Sequence, residues 1–258
     1  MSDRDRKRTR VLLLGGTSEA RHLTSILYGD DRFDVVLSLA GRTAQPDLLE
    51  GLPVRIGGFG GAMGLAGFIA DEGFGVVVDA THPFAARISA NAVEAARHAN
   101  IALIALERAA WVPQPGDAWQ CFASVEDAVA ALPKAPQRIF SGLGRLSLAA
   151  LAAAPQHHYV IRVIDPVLED LPFPNATVIC ARGPFKTEDD LILLRSHNVA
   201  CVLSKNSGGS AAYSKIAAAR VLAIPVFMIG RPELAARRAV SSIDEVMSVL
   251  SAHHISSP

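Results

Sequence analysis

Cysteine is scarce. Cys121, Cys180 and Cys201 are widely separated, odd in number and form no Cys-x-x-Cys in a chain of 258 residues. That excludes a disulfide framework and fits a reducing compartment. Net charge is missing as well. Lysine plus arginine and aspartate plus glutamate both total 25, so no global field draws the chain to nucleic acid or a membrane surface. No stretch approaches the roughly 18 uninterrupted apolar residues of a membrane helix. The charged start, Ser2-Asp3-Arg4-Asp5-Arg6-Lys7-Arg8, lacks the apolar region and cleavage site of a secretory signal. Residues 1–9 therefore read as a solvated flexible tail and the protein as cytoplasmic. His157-His158 has no third ligand at metal spacing, so no metal is expected, and no Gly-x-Ser-x-Gly, P-loop or His-Glu-x-x-His occurs.

What is present is apolar. Half the residues are hydrophobic, 19% are charged and the mean hydropathy is +0.27, which requires a well-buried core. Short apolar runs alternate with Ala/Leu-rich helical stretches. Val11-Leu12-Leu13-Leu14, Val35-Val36-Leu37, Val76-Val77-Val78 and Ile101-Ala102-Leu103-Ile104 read as strands, with helices over Ser18–Tyr28 and Ile88–Ala99. In the second half Arg138–Phe140, Tyr159–Val163, Ala176–Cys180, Cys201–Leu203 and Val226–Ile229 follow the same grammar. Strands apolar throughout and separated by helices imply parallel sheets covered on both faces, an α/β fold. Pro113, Pro115 and Gly116 interrupt the chain between the halves. A first domain over 10–112 and a second over 113–258, ending in a helix near 242–252, are expected.

A faint internal echo supports two similar domains. Ile101–Arg108 and Ile224–Arg231 are both apolar strands ending in arginine, and Ser124-Val125-Glu126-Asp127 matches Ser242-Ile243-Asp244-Glu245 as a capped helix start. Val76–Asp79 and Cys201–Ser204 are equivalent strand ends. Two Rossmann-like domains with a cleft between them are the expected architecture.

Ligands of parallel α/β sheets bind beyond the carboxyl ends of the strands. Gly15-Gly16-Thr17-Ser18, after the first strand, suits either a phosphate at a helix start or a tight turn without ligand. After the second strand, Ser38-Leu39-Ala40-Gly41-Arg42-Thr43 has no acid for a ribose hydroxyl. Arg42 instead offers a bidentate partner for a 2′-phosphate, with Ser38 or Thr43 beside it, which favours NADPH. Gly57-Gly58-Phe59-Gly60-Gly61 reads as close approach to a flat ligand, because glycine at that density costs folding entropy. In Asp79-Ala80-Thr81-His82-Pro83, Asp79 and His82 are either catalytic acids or caps of a turn, with Pro83 opening a helix. Arg182-Gly183-Pro184-Phe185-Lys186 and Ser204-Lys205-Asn206-Ser207-Gly208-Gly209 are rich in donors and glycine, as an anion site would be. Gly142-Leu143-Gly144-Arg145-Leu146-Ser147 is an imperfect competitor for the cofactor.

Taken in order, the blocks at Gly15–Arg21, Ser38–Thr43, Arg55–Gly61, Asp79–Ala85, Arg182–Phe185 and Ser204–Gly209 closely resemble the precorrin-6A and cobalt-precorrin-6A reductases of cobalamin biosynthesis, over about Arg10 to Arg231. Ala109-Ala110 departs from the proline that often precedes the position of Trp111 in that family. The resemblance implies reduction of the C18–C19 double bond of precorrin-6A by NADPH, giving precorrin-6B, with transient contact to neighbouring pathway enzymes. Gly15, Gly16, Thr17, Ser18, Ser38, Gly41, Arg42, Thr43, Gly58, Phe59, Gly60, Ala80 and Thr81 of these loops are expected to bind the cofactor. Arg182, Lys186, Lys205, Asn206, Ser207 and Gly208 are assigned to the substrate, and Asp79, His82 and Lys205 are the catalytic candidates. A non-catalytic NADPH sensor and a non-redox tetrapyrrole-modifying enzyme are the alternatives to be tested.

Overall fold

The computed structural model describes residues 8–41, 48–167 and 170–256. Two six-stranded sheets are formed, each with every strand pair parallel. The first contains β1 (Thr9–Leu14), β2 (Phe33–Leu39), β3 (Val54–Ile56), β4 (Val76–Asp79), β5 (Ala102–Leu106) and β12 (Ala239–Val240), in the order β3-β2-β1-β4-β5-β12. The second contains β6 (Trp119–Phe122), β7 (Arg138–Ser141), β8 (His158–Val163), β9 (Ala176–Cys180), β10 (Cys201–Lys205) and β11 (Val226–Ile229), in the order β9-β8-β7-β10-β11-β6. Both follow the doubly wound pattern, the strand order reversing between β1 and β4 in the first sheet and between β7 and β10 in the second.

The continuous apolar runs have a direct cause. In β1, Val11 and Leu13 face one side, packed with Leu23 and Leu27 of α1 (Ser18–Tyr28) and Val246 and Leu250 of α7 (Ile243–Ser256). Leu12 and Leu14 face the other, against Leu65 and Ile69 of α2 (Ala62–Asp71) and Ala92 and Ala95 of α3 (Ala86–His98). Each strand residue is therefore buried whichever way it points. In the second sheet Phe140, Val160, Val202 and Met228 pack with Leu194 of α5 (Thr187–Ser196) and Ile216 and Ala219 of α6 (Ser214–Val221). The short helix α4 (Val125–Ala130) is capped by the Ser124 hydroxyl, which accepts from the Asp127 N–H at 3.0 Å.

The expected domain limits are corrected by the pairing. One compact unit comprises residues 1–108 with 233–258, and the other 109–232. The chain leaves the first unit after β5 and supplies β6 to the sixth place of the second sheet. It returns after β11 and supplies β12 to the sixth place of the first. The terminal helix thus packs on the first sheet, where Val246 and Leu250 are fully buried, instead of closing the second domain. Thr9, counted with the tail, is the first residue of β1. The sequence echo coincides with this arrangement: β5 and β11 hold the fifth place in their sheets, and α4 and α7 follow the exchanged strands.

His157 is among the polar groups sealed in the second unit. It is fully buried, and its Nδ1 accepts the Gln137 N–H at 3.1 Å. Burial holds its pKa below the ordinary 6.5, because protonation would charge a desolvated ring and break that bond. The unfolded chain therefore binds more protons below about pH 6.5, so stability is full above that pH and declines as acid is added through it. His158 is shifted the same way by burial. The melting temperature is expected to fall on acidification below pH 6.5, and His157→Asn, which keeps an acceptor without a titrating ring, to fall less. Equal slopes for the two proteins would show that His157 titrates normally.

Candidate functional site

In the first unit the glycine loops line up along the carboxyl ends of adjacent strands, in sheet order β3, β2, β1 and β4. Gly15 is required by packing: a Cβ there would lie 2.6 Å from Leu37 Cδ1. Gly16 is required by conformation, with φ at +116° and open space where a side chain would stand. Thr17 caps α1 by accepting the Ala20 N–H at 3.0 Å, and its hydroxyl donates to the Ala80 carbonyl at 2.8 Å. That bond fixes the first loop against the end of β4. Open space also lies over Gly57, Gly58, Gly60 and Gly61. Arg55 holds this loop by donating to the carbonyls of Gly57 and Gly58, each at 2.7 Å, while its guanidinium stacks 3.8 Å from the Phe59 ring.

Asp79 is buried at the end of β4. Its Oδ1 accepts from the Thr81 N–H at 3.1 Å and the Thr81 hydroxyl at 2.7 Å. Oδ2 is buried and has no hydrogen-bond partner among the described residues. His82 Nδ1 accepts the Phe84 N–H at 3.2 Å, as a turn cap does. The helix expected to open at Pro83 begins at Ala86, and Pro83 lies in the preceding turn. Ser38 is buried in β2, and its carbonyl accepts the Gly15 N–H at 2.9 Å. Gly41 takes φ +72°, with Ile56 Cγ2 2.9 Å from the place of a Cβ. Arg42 and Thr43 lie outside the described residues. At the first turn of α1, Glu19 pairs with Arg108 at 2.7 Å.

In the second unit the donor-rich loops are tied to one another. Lys205 Nζ donates to the Leu143 carbonyl at 3.1 Å and the Ser147 hydroxyl at 2.9 Å. It thereby bridges the loops after β10 and β7, where the strand order reverses. A helix corresponding to α1 is missing there: residues Arg145–Ser147 and Ala149–Ala153 form 3₁₀ turns. The Gly142–Ser147 loop thus lacks the α-helix start of a dinucleotide site.

Asn206 spends its amide on Trp111, accepting the backbone N–H at 2.8 Å and donating to the carbonyl at 2.9 Å. The Trp111 indole donates to the Gly209 carbonyl at 2.7 Å. Gly208 has φ +69°, and a Cβ would collide with the Ala109 carbonyl oxygen and Arg231 Nη2. Ser207 Oγ reaches the Lys205 carbonyl at 3.4 Å. The Arg182–Lys186 loop joins this group through the Phe185 N–H, 3.2 Å from the Ala211 carbonyl.

Sequence reasoning missed the buried ionic cluster beneath these loops. Arg162 of β8 pairs with Asp190 of α5 at 2.5 Å, and Ser214 Oγ donates to the other carboxylate oxygen at 2.5 Å. Phe185 lies over the guanidinium at 3.7 Å. Lys215 is 3% exposed, and its Nζ donates to the Ala212 carbonyl at 2.6 Å. Burial, with Arg162 nearby, pushes its pKa down to about 7. Nothing in Thr187-Glu188-Asp189-Asp190 distinguishes the one buried acid from its exposed neighbours.

Among the described residues no helix is long and apolar enough to cross a membrane. Residues 10–251 match the family described as precorrin-6x reductase CbiJ/CobK. The precorrin-6A reductase of Rhodobacter capsulatus is 48% identical over 245 residues, covering 95% of this chain and 97% of that protein. The precorrin-6A reductase of a Sinorhizobium species is 50% identical over 242 residues, covering 94% and 92%. A solved structure of CobK precorrin-6A reductase superposes with a TM-score of 0.90 at 47% identity, covering 95% of this chain and 97% of that one.

Proposed function

The chain belongs to the precorrin-6x reductase family, and from that membership we propose that it reduces the C18–C19 double bond of precorrin-6A with NADPH in the cytoplasm. The observation that carries the cofactor assignment is the open glycines at the ends of β3 and β1 beside a buried Asp79 oxygen, at the end of β4, that has no partner among the described residues. These residues fit a dinucleotide, whose phosphates need close backbone approach and whose polar groups need fixed partners. When bound, the nicotinamide supplies the hydride, and a proton completes the neighbouring carbon.

The residues of the chain position and polarise. Gly15, Gly16, Thr17 and Ser18 offer the start of α1 to the diphosphate. The Thr17–Ala80 bond holds that loop against the end of β4. Ser38, Gly41, Arg42 and Thr43 take the 2′-phosphorylated ribose. Gly58, Phe59 and Gly60 bound the nucleotide, with Arg55 locking their loop. Thr81 orients the Asp79 carboxylate so that Oδ2 is left to accept a ligand N–H or hold a proton, and His82 shapes the turn beside it. Arg182, Lys186 and Lys205 supply the positive charge that a polycarboxylate substrate needs in a chain of zero net charge. Asn206 acts by holding Trp111, Gly208 by letting its loop pass close to the Ala109 carbonyl, and Ser207 lies between them.

Anaerobic mixing with precorrin-6A should consume NADPH and the substrate chromophore together; failure of both to change would sink the assignment. Arg42→Ala should weaken NADPH roughly 10–100-fold, the loss of a charge-assisted phosphate contact, while NADH changes little. Equal losses for the two nucleotides, read by equilibrium titration, would remove Arg42 from the 2′-phosphate.

A further inference from the structure

Each fifth strand runs on into an arginine, Arg108 after β5 and Arg231 after β11. The two do different work. Arg231 clamps a loop, its Nε donating to the Asn206 carbonyl at 3.0 Å and its Nη2 to the Ser207 carbonyl at 3.2 Å. Arg108 reaches an acid instead: its Nη1 donates to Glu19 Oε2 at 2.7 Å. The two side chains are 17% and 30% exposed, so the pair is shielded more than an ordinary surface ion pair. Glu107, the acid next to Arg108 in the chain, is held by Arg237 at 2.6 Å.

Glu19 stands in a demanding place. It lies in the first turn of α1, the turn whose N–H groups are offered to the cofactor diphosphate. Its Oε2 also accepts the Ser18 hydroxyl at 3.0 Å, beside the proposed phosphate contacts. A carboxylate there suits the bare helix, because it opposes the positive end of the dipole. A diphosphate brought to the same turn meets a like charge. Protonation does not relieve the conflict. Burial works to raise the Glu19 pKa, but the hydrogen bond and charge of Arg108 outweigh it and hold the pKa below the ordinary value. The acid is therefore ionised at neutral pH. Arg21, two positions on, does not share its face of the helix.

We propose that Arg108 is a positioning residue for the cofactor: by pairing with Glu19 it neutralises the acid, so that the start of α1 can receive a diphosphate. The inference rests on the dinucleotide reading given above. It concerns the diphosphate, which NADPH and NADH share, and not the 2′-phosphate.

The test is equilibrium titration of the full chain with NADPH and with NADH. Arg108→Met keeps the stem and removes the charge, and it should weaken both nucleotides about tenfold, whereas Arg42→Ala separates them. Adding Glu19→Gln to Arg108→Met should bring both back to within about threefold of the parent. Glu19→Gln alone should bind at least as tightly as the parent. The gap between Arg108→Met and the parent should narrow as salt is raised toward about 1 M, where charges are screened beyond roughly 3 Å; a loop that had merely loosened would keep the gap. Arg108→Gln, which retains a donor without the charge, repeats the reading should the Met variant fail to fold.

A double variant as weak as Arg108→Met would show that Arg108 touches the nucleotide itself. A gap unmoved by salt would reduce it to a support of the loop, and parental affinity in Arg108→Met would leave it no part in binding. Each of these overturns the inference, while nucleotide binding by the parent keeps the cofactor reading. A parent chain that binds neither nucleotide overturns that reading, and this inference with it.

Discussion

A chain ended after Pro232 is expected to lose the first unit altogether, and with it NADPH binding, although every glycine loop assigned to the cofactor is still present. The truncation removes β12 and α7. Val246 and Leu250 are fully buried against β1, β2, β4 and α1, with Ile243, Met247 and Val249 packed around them. Burial of each large aliphatic contributes about 1.5–3 kcal/mol, so the loss is roughly 5–10 kcal/mol, as large as the whole stability of an ordinary domain. Residues 109–232 are continuous in sequence and contain every strand of the second sheet. That fragment should fold alone with one cooperative transition. Calorimetry of 1–232 and 109–232 beside the full chain checks both statements. A 1–232 chain that binds NADPH like the parent would show that α7 is dispensable.

Asp190→Ala is expected to destabilise the second unit by about 3–5 kcal/mol, because it strands the Arg162 guanidinium in a buried site. The Arg162 side chain is 7% exposed, so water cannot replace the carboxylate without opening the fold. For a unit of this size the melting temperature should drop by roughly 10–20 °C. Replacing the pair together, Arg162→Met with Asp190→Leu, should cost much less, since apolar side chains fill the space without charge. If the single and double variants melt alike, packing rather than unpaired charge accounts for the loss.

The parallel strands were legible because their burial on both faces leaves an unbroken apolar signature: the limits of α1 and β9 coincide with their sequence readings. Helix α2 was not legible, since Gly64 and Gly67 lower its propensity and tertiary packing of Leu65 and Ile69 decides it. The exchange of β6 and β12 was half visible. The repeated serine caps marked α4 and α7 as equivalents, but β12 is two residues long and carries no periodicity that names its sheet. At the site, the glycine loops could be read because backbone approach restricts residue type. The work of Asn206 could not, because its partner Trp111 is 95 positions away, and a surface loop of donors looks the same whether it faces ligand or its own chain.

The double crossing also sets an order of events during synthesis. Domains usually complete themselves from the amino terminus as the ribosome delivers them. Here the first sheet to begin is the last to close: β1 emerges early, but its cover α7 is made after every strand of the second sheet. Translation of the residues after Pro232 takes about 1–5 s at common elongation rates. For that interval the second unit has its full complement of strands, while the apolar face of the first sheet that α7 covers waits uncovered. Nascent chains of this protein should therefore depend on holding factors most strongly before α7 emerges, and a slow codon run between β11 and α7 should lower soluble yield more than the same run placed before β6.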